Sequence, residues 1–151
     1  MIDVTRPDFD RLAPAGADYA MRPIADAFDW SAIARSTDAG EWYLVVFRSI
    51  RKSNADEARL TWYDDQAHAE AATSPGFVHY YKGPLTADRA CLSFCLWASR
   101  SDAREAAAKP CHREAVTLIG ESYDRYTLEF FRVTKVAGSA WLRIEPYDRP
   151  G

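Results

Sequence analysis

From Glu41 onward the chain divides into segments whose order constrains its fold more tightly than any single motif. EWYLVVFRSI (41–50) is a β-branched and aromatic run of strand length that ends in the charged RKSN. Asn54 is a good N-cap with Glu57 three residues on, and the following ADEARLTWYDDQAHAEAA carries Leu60, Tyr63, Ala67 and Ala71 along one helical stripe. Ser74, Pro75 and Gly76 stop that helix, because proline lacks a donor and glycine accepts unusual backbone angles, and FVHYYKG follows as a second strand. After the polar turn PLTADRA, the run CLSFCLWAS reads as a third strand, with Leu92, Phe94 and Leu96 on one face and Cys91, Ser93, Cys95 and Trp97 on the other. A second helix starts at Ser99 or Ser101, breaks at Lys109 before Pro110, and resumes through HREAVTLIGESYDRY, with Ala115, Leu118, Ile119 and Ser122 at helical spacing. TLEFFRVTKV is the fourth strand, Gly138 ends it, and AWLRIE is compatible with a short fifth.

Strand, helix, strand, strand, helix, strand is the split β-α-β order, βαββαβ, of an α+β fold. Its two helices cover one face of a four-stranded sheet, yet these strands are apolar or aromatic on both faces. The second face therefore needs cover as well. A second copy of the chain, supplemented by the aromatic arm, is the simplest cover, which predicts an obligate homodimer. Residues 1–40 carry Pro7, Pro14, Gly16 and Pro23 and then IADAFDWSAIA, which allows a short helix. Their aromatic residues Phe9, Tyr19, Phe28 and Trp30 argue for an arm that packs, since segments that never bury surface are poor in such side chains. The expected division is an N-terminal arm over 1–40, the domain over 41–136 and a C-terminal extension over 137–151.

Composition narrows the function classes. The 151 residues are 48% hydrophobic and 27% charged, enough apolar surface for one core. Lys and Arg total 19 against 22 Asp and Glu, a net charge of −3, so nucleic acid is not an expected partner. No run of about 18 apolar residues exists to span a bilayer, and MIDVTRPDFD lacks the apolar core of a signal peptide. A cytoplasmic protein with no membrane contact is the expectation. Cys91, Cys95 and Cys111 make an odd number with no Cys-x-x-Cys pair. On one strand the first two would sit about 13 Å apart at roughly 3.3 Å per residue, too far to bridge, so free thiols are predicted. Metal-ligand spacings, Gly-rich phosphate loops and Gly-x-Ser-x-Gly are all missing, so neither a metal, a Rossmann-bound cofactor nor an ordinary serine hydrolase is expected.

The Ser-Pro-Gly-Phe turn at 74–77, the strand ending in Trp97 before Ser99, and His112 in the second helical region carry a family resemblance. In this order of elements, residues 41–136 resemble the dimeric α/β-barrel superfamily, ferredoxin-like proteins of the antibiotic biosynthesis monooxygenase type. The resemblance implies a dimer in which two ferredoxin-like sheets face each other. It also implies a cofactor-independent enzyme, a monooxygenase, cyclase or isomerase, acting on a small aromatic or polycyclic molecule in a barrel pocket. Non-catalytic dimers that bind a small apolar ligand belong to the same fold, and a heme-binding dimer is a further alternative. Heme-degrading members use an asparagine on the first strand and a tryptophan in the second helix ahead of a ligand histidine. EWYLVVFRSI has no asparagine and DAREAAAKP no tryptophan, which leaves His112 alone of that set.

Candidate site residues follow from alternation together with the resemblance. Phe77, His79 and Tyr81 should share one face of the second strand, where an imidazole beside a phenol suits proton transfer and the binding of a carbonyl or enolate. His79 is otherwise a half-exposed strand histidine. Trp97, Cys95 and Ser93 form an aromatic wall with small neighbours, and Phe47 offers a second ring for stacking, although ordinary core packing explains these residues equally well. Cys95 has no neighbouring cation in the sequence to make it a nucleophile. His112, the counterpart of the family's histidine, is the best polar candidate, its plainer role being local hydrogen bonding at a helix end. His68 lies off the apolar stripe and reads as solvated. The expectation for coordinates is one cavity bordered by Trp97 and at least one of His79 and His112.

Overall fold

The computed structural model describes residues 9–34 and 37–147. In chain order, two single 3-10 turns (Phe9–Arg11 and Tyr19–Met21) precede two one-turn helices, α1 (Ile24–Ala27) and α2 (Ser31–Ala34). The domain proper runs β1 (Gly40–Arg51), α3 (Glu57–Ala72), β2 (Phe77–Tyr81), β3 (Ala90–Trp97), α4 (Arg100–Ala107), α5 (Pro110–Val116), α6 (Ile119–Ser122), β4 (Tyr123–Lys135) and β5 (Arg143–Pro146). The strands form one antiparallel sheet in the order β2-β3-β1-β4-β5. This is the α+β, ferredoxin-like order expected from the sequence, with β5 added at one edge.

Local chemistry explains most boundaries and corrects two of them. Helix α3 starts two residues later than Asn54 suggested: Asp56 is the N-cap, its carboxylate accepting the Arg59 N–H at 3.0 Å. Glu57 is not available to a capping box because it pairs with Arg51 and Arg89. Ser99 caps α4 by accepting the Asp102 N–H at 3.1 Å, and Pro110 begins a separate helix at its first turn, where a missing donor costs nothing. The helical reading of HREAVTLIGESYDRY ends too late. Residues from Tyr123 on alternate and pair with Arg51 through Ser49 of β1, so the long strand captures them.

The register sorts the sheet into two faces. Leu44, Val46, Leu92, Phe94, Leu96 and Val133 point to one side and are wholly buried. Their cover is the N-terminal arm of the same chain, which lays Phe9, Leu12, Tyr19, Phe28, Trp30 and Ile33 against them. Phe28 sits edge-on to Phe94 at 5.2 Å and to Tyr81 at 5.0 Å. Polar ties fix the arm: the Tyr19 hydroxyl donates to the Pro84 carbonyl at 2.6 Å, and Arg48 donates to the Ala20 carbonyl at 2.8 Å. The premise that a second subunit must cover this face is thereby corrected. Within one chain, residues between Phe9 and Ile33 provide the cover that the sequence divides between a partner and the arm.

Candidate functional site

On the opposite face the helices do not close onto the sheet. Between them lies a cavity of about 680 Å³, within the size range of small-molecule sites. Its floor is read directly from the strand register. Tyr43, Trp97 and Phe77 form the first row, Val45, Cys95, Tyr80 and Phe130 the second, and Phe47, Ser93 and Leu128 the third. Ser49, Cys91 and Tyr126 follow, with Arg51 and Tyr123 at the far end. The roof is the stripe Leu60, Tyr63, Ala67 and Ala71 of α3, together with residues of α4, α5 and α6. That stripe was read from the sequence as a packing surface. No residue of α3 is buried, because the stripe faces open volume.

Polar groups gather at separate points of this apolar chamber. The Tyr80 hydroxyl donates to Asp64 at 3.1 Å, Lys82 sits 3.3 Å from the same carboxylate, and the His68 ring lies 4.6 Å from that of Tyr80. Burial pushes the Tyr80 phenol far up, and the Asp64 charge adds to the rise, so the ring keeps its proton and acts as a donor. At the Trp97 end, the indole N–H donates to Cys95 Sγ at 3.1 Å. Burial pushes the Cys95 thiol up to about 12, which removes it as a nucleophile near neutral pH. All three cysteines are free.

His112 lines the cavity from the first turn of α5. Burial pulls its imidazole below the ordinary value, a fall partly opposed by the Ala107 backbone and the Glu70 charge, so it is neutral at pH 7. Its placement depends on α3. Glu70 accepts the backbone N–H groups of Cys111 at 3.1 Å and His112 at 3.2 Å, capping α5 from outside. Burial alone would raise the Glu70 carboxyl, but these hydrogen bonds together hold it below its usual range.

The structure brings Trp97, Phe47, Ser93, Cys95 and His112 to one cavity. It does not bring His79 or Tyr81 there. The pairing of β2 with β3 slips between Phe77 and His79, so Val78 is an extra residue and the strand turns over. Phe77 and Tyr80 face the cavity, whereas His79 stacks on Phe9 of the arm at 6.2 Å and Tyr81 stacks on Phe94 at 5.5 Å. The expectation that both lie beside Trp97 is corrected on that ground. Tyr80 supplies the cavity phenol instead. Sequence reasoning also missed His68, Asp64 and Arg100. The first two follow α3's Leu60 and Tyr63 by four or five residues, and a stripe defined by apolarity alone leaves such neighbours out.

Among the described residues no cluster of three or more His, Cys, Asp or Glu side chains is arranged to hold a metal ion, and no helix is long and apolar enough to cross a membrane.

A family model described as PB2B2.08-like matches residues 6–146. Similar in sequence is the UPF0643 protein PB2B2.08 of Schizosaccharomyces pombe, 29% identical over 139 residues, a match covering 81% of this chain and 63% of the relative. The chain therefore spans less than two-thirds of that relative's length. Among solved structures, SnoaB of Streptomyces nogalater, a cofactor-independent oxygenase, aligns with a TM-score of 0.52 at 18% identity, covering 67% of this chain and 100% of that one. A dimeric ferredoxin-like protein of Thermobifida fusca aligns with a TM-score of 0.50 at 14% identity, covering 61% and 91%. At these identities the solved structures establish the ferredoxin-like fold.

Proposed function

The chain belongs to the PB2B2.08-like family, and on that premise we propose that it is a cofactor-independent enzyme acting on a small aromatic or polycyclic molecule held between α3 and the sheet. The observation that carries this reading is the aromatic chamber itself, about 680 Å³ with Trp97, Phe77, Tyr43 and Tyr80 around it and a neutral imidazole on its wall. A neutral His112 can take a proton from carbon or oxygen of a bound ring system. Tyr80 stands on the same wall, and turning its single hydroxyl proton from Asp64 to the enolate or phenolate that results would fill the role expected of Tyr81 from the sequence. Such a carbanion is electron-rich enough to reduce dioxygen without a bound metal or flavin. The likeness to an oxygenase fold supports monooxygenation over cyclisation or isomerisation.

Anthrone is a suitable probe, since its ring-flanked methylene is acidic. Its conversion is balanced: one oxygen atom of dioxygen becomes the new quinone carbonyl, and the other leaves as water with the two methylene hydrogens. With metal-free protein, oxygen uptake should exceed the spontaneous rate and fall by about 100-fold in His112→Ala, the span general-base catalysis typically contributes. Anthrone that binds without accelerated uptake would leave a binding protein and end the enzyme reading.

Self-association is part of the proposal, since the fold's solved relatives include a dimeric protein. With the arm covering the opposite sheet face in the same chain, a second copy would meet β4 at the open side of the chamber, where Leu128 and Phe130 line it and are each 46% exposed.

A further inference from the structure

The charges around the chamber are unbalanced. Arg51, Lys82, Arg100 and Arg104 line it against the single carboxylate of Asp64, in a chain whose net charge is −3. Two of these cations already have partners: Arg51 pairs with Glu57, and Lys82 with Asp64. Neither Arg100 nor Arg104 forms an ion pair among the described residues. The Arg100 guanidinium lies over the Tyr147 ring at 5.3 Å, which engages its face, and its Nε is buried with no acceptor among the described residues. A planar guanidinium matches a carboxylate in two parallel hydrogen bonds.

Position sharpens the chemistry. Arg100 opens α4 directly after β3, so it stands beside the row of Tyr43, Trp97 and Phe77, where Phe77 meets Trp97 edge-on at 5.5 Å. Burial raises the Tyr43 phenol, and Arg100 and Arg104 partly oppose that rise, which places both guanidinium groups within electrostatic reach of its hydroxyl. A flat ring among these aromatics would thus carry its substituent to the arginines.

We propose that Arg100, with Arg104 one turn behind it, anchors the carboxylate of the cavity's occupant, so that the substrate class is an aromatic acid. This rests on the chamber being the ligand site. Calorimetric titration of the full chain with 2-naphthoate and with 2-naphthalenemethanol, its neutral counterpart, tests it. The wild type should bind the acid about tenfold more tightly, roughly the 1.4 kcal/mol that separates such affinities. In Arg100→Gln the preference should vanish through weaker binding of the acid, with the alcohol unchanged. Equal binding of both probes by the wild type would overturn the inference while leaving the chamber a ligand site. Equal loss of both in Arg100→Gln would also overturn it, showing that the arginine only shapes the wall. Binding of neither probe would overturn the chamber reading itself. If Arg100→Gln does not fold, the wild-type comparison decides alone, with equal affinities counting against the proposal.

Discussion

His112 shows how one buried side chain ties stability to the site. Its folded-state value lies below the ordinary 6.5, because burial disfavours the charged ring. Between the two values the unfolded chain binds more protons than the folded one, so stability rises with pH across that window. The contribution is complete above 6.5 and is lost as pH falls through the folded-state value. Thermal melts between pH 7.5 and 5 should therefore show a smaller acid-induced loss in His112→Gln than in the wild type. An identical loss in both would mean that the ring is not buried as described. The same neutrality makes His112 an acceptor at pH 7, so proton abstraction by it should weaken on the acid side only. Cys95 stands as the opposite case, a cavity thiol whose raised value keeps it inert beside Trp97.

At the scale of elements, the arm and the slipped strand separate what the sequence reveals from what it hides. Phe28 is wholly enclosed between the arm's own Trp30 and the sheet's Phe94 and Tyr81. Phe28→Ala should cost about 3–5 kcal/mol in chemical denaturation, the usual range for removing a buried phenylalanine. A cost below about 1 kcal/mol would mean that the arm is not a structural layer. The packing of this arm was legible, because aromatic residues in a proline-punctuated segment have to be buried somewhere. Its target was not legible, since nothing local says which sheet face, or whose, receives it. Alternation was reliable on β3, where Trp97, Cys95 and Ser93 share the cavity face as read. It failed on β2, because a bulge at Val78 leaves no mark in a five-residue strand and reverses every side chain beyond it. His68 was missed for a different reason. Periodicity finds surfaces that exclude water, and a helix face lining a ligand chamber keeps polar residues beside its apolar stripe.

For the whole molecule, the consequence is a sheet enclosed by one chain on one side and hollow on the other. A core completed within a single chain does not need a partner to fold. Diluted until light scattering shows only monomer, the chain should accordingly still melt in one cooperative transition; a chain already unfolded at that dilution would mean that folding needs the partner. The central claim is that the hollow between α3 and the sheet is where the ligand binds. The most direct measurement is the indole N–H region of the proton–nitrogen spectrum during addition of 2-naphthoate. The tryptophans are distributed in a useful way: Trp97 lines the chamber, Trp30 and Trp42 pack on the arm side, and Trp62 and Trp141 are exposed. Saturable shifts at Trp97, with the Trp30 and Trp42 signals unmoved, are the predicted result. A Trp97 signal that stays in place while Trp30 or Trp42 moves would contradict the account.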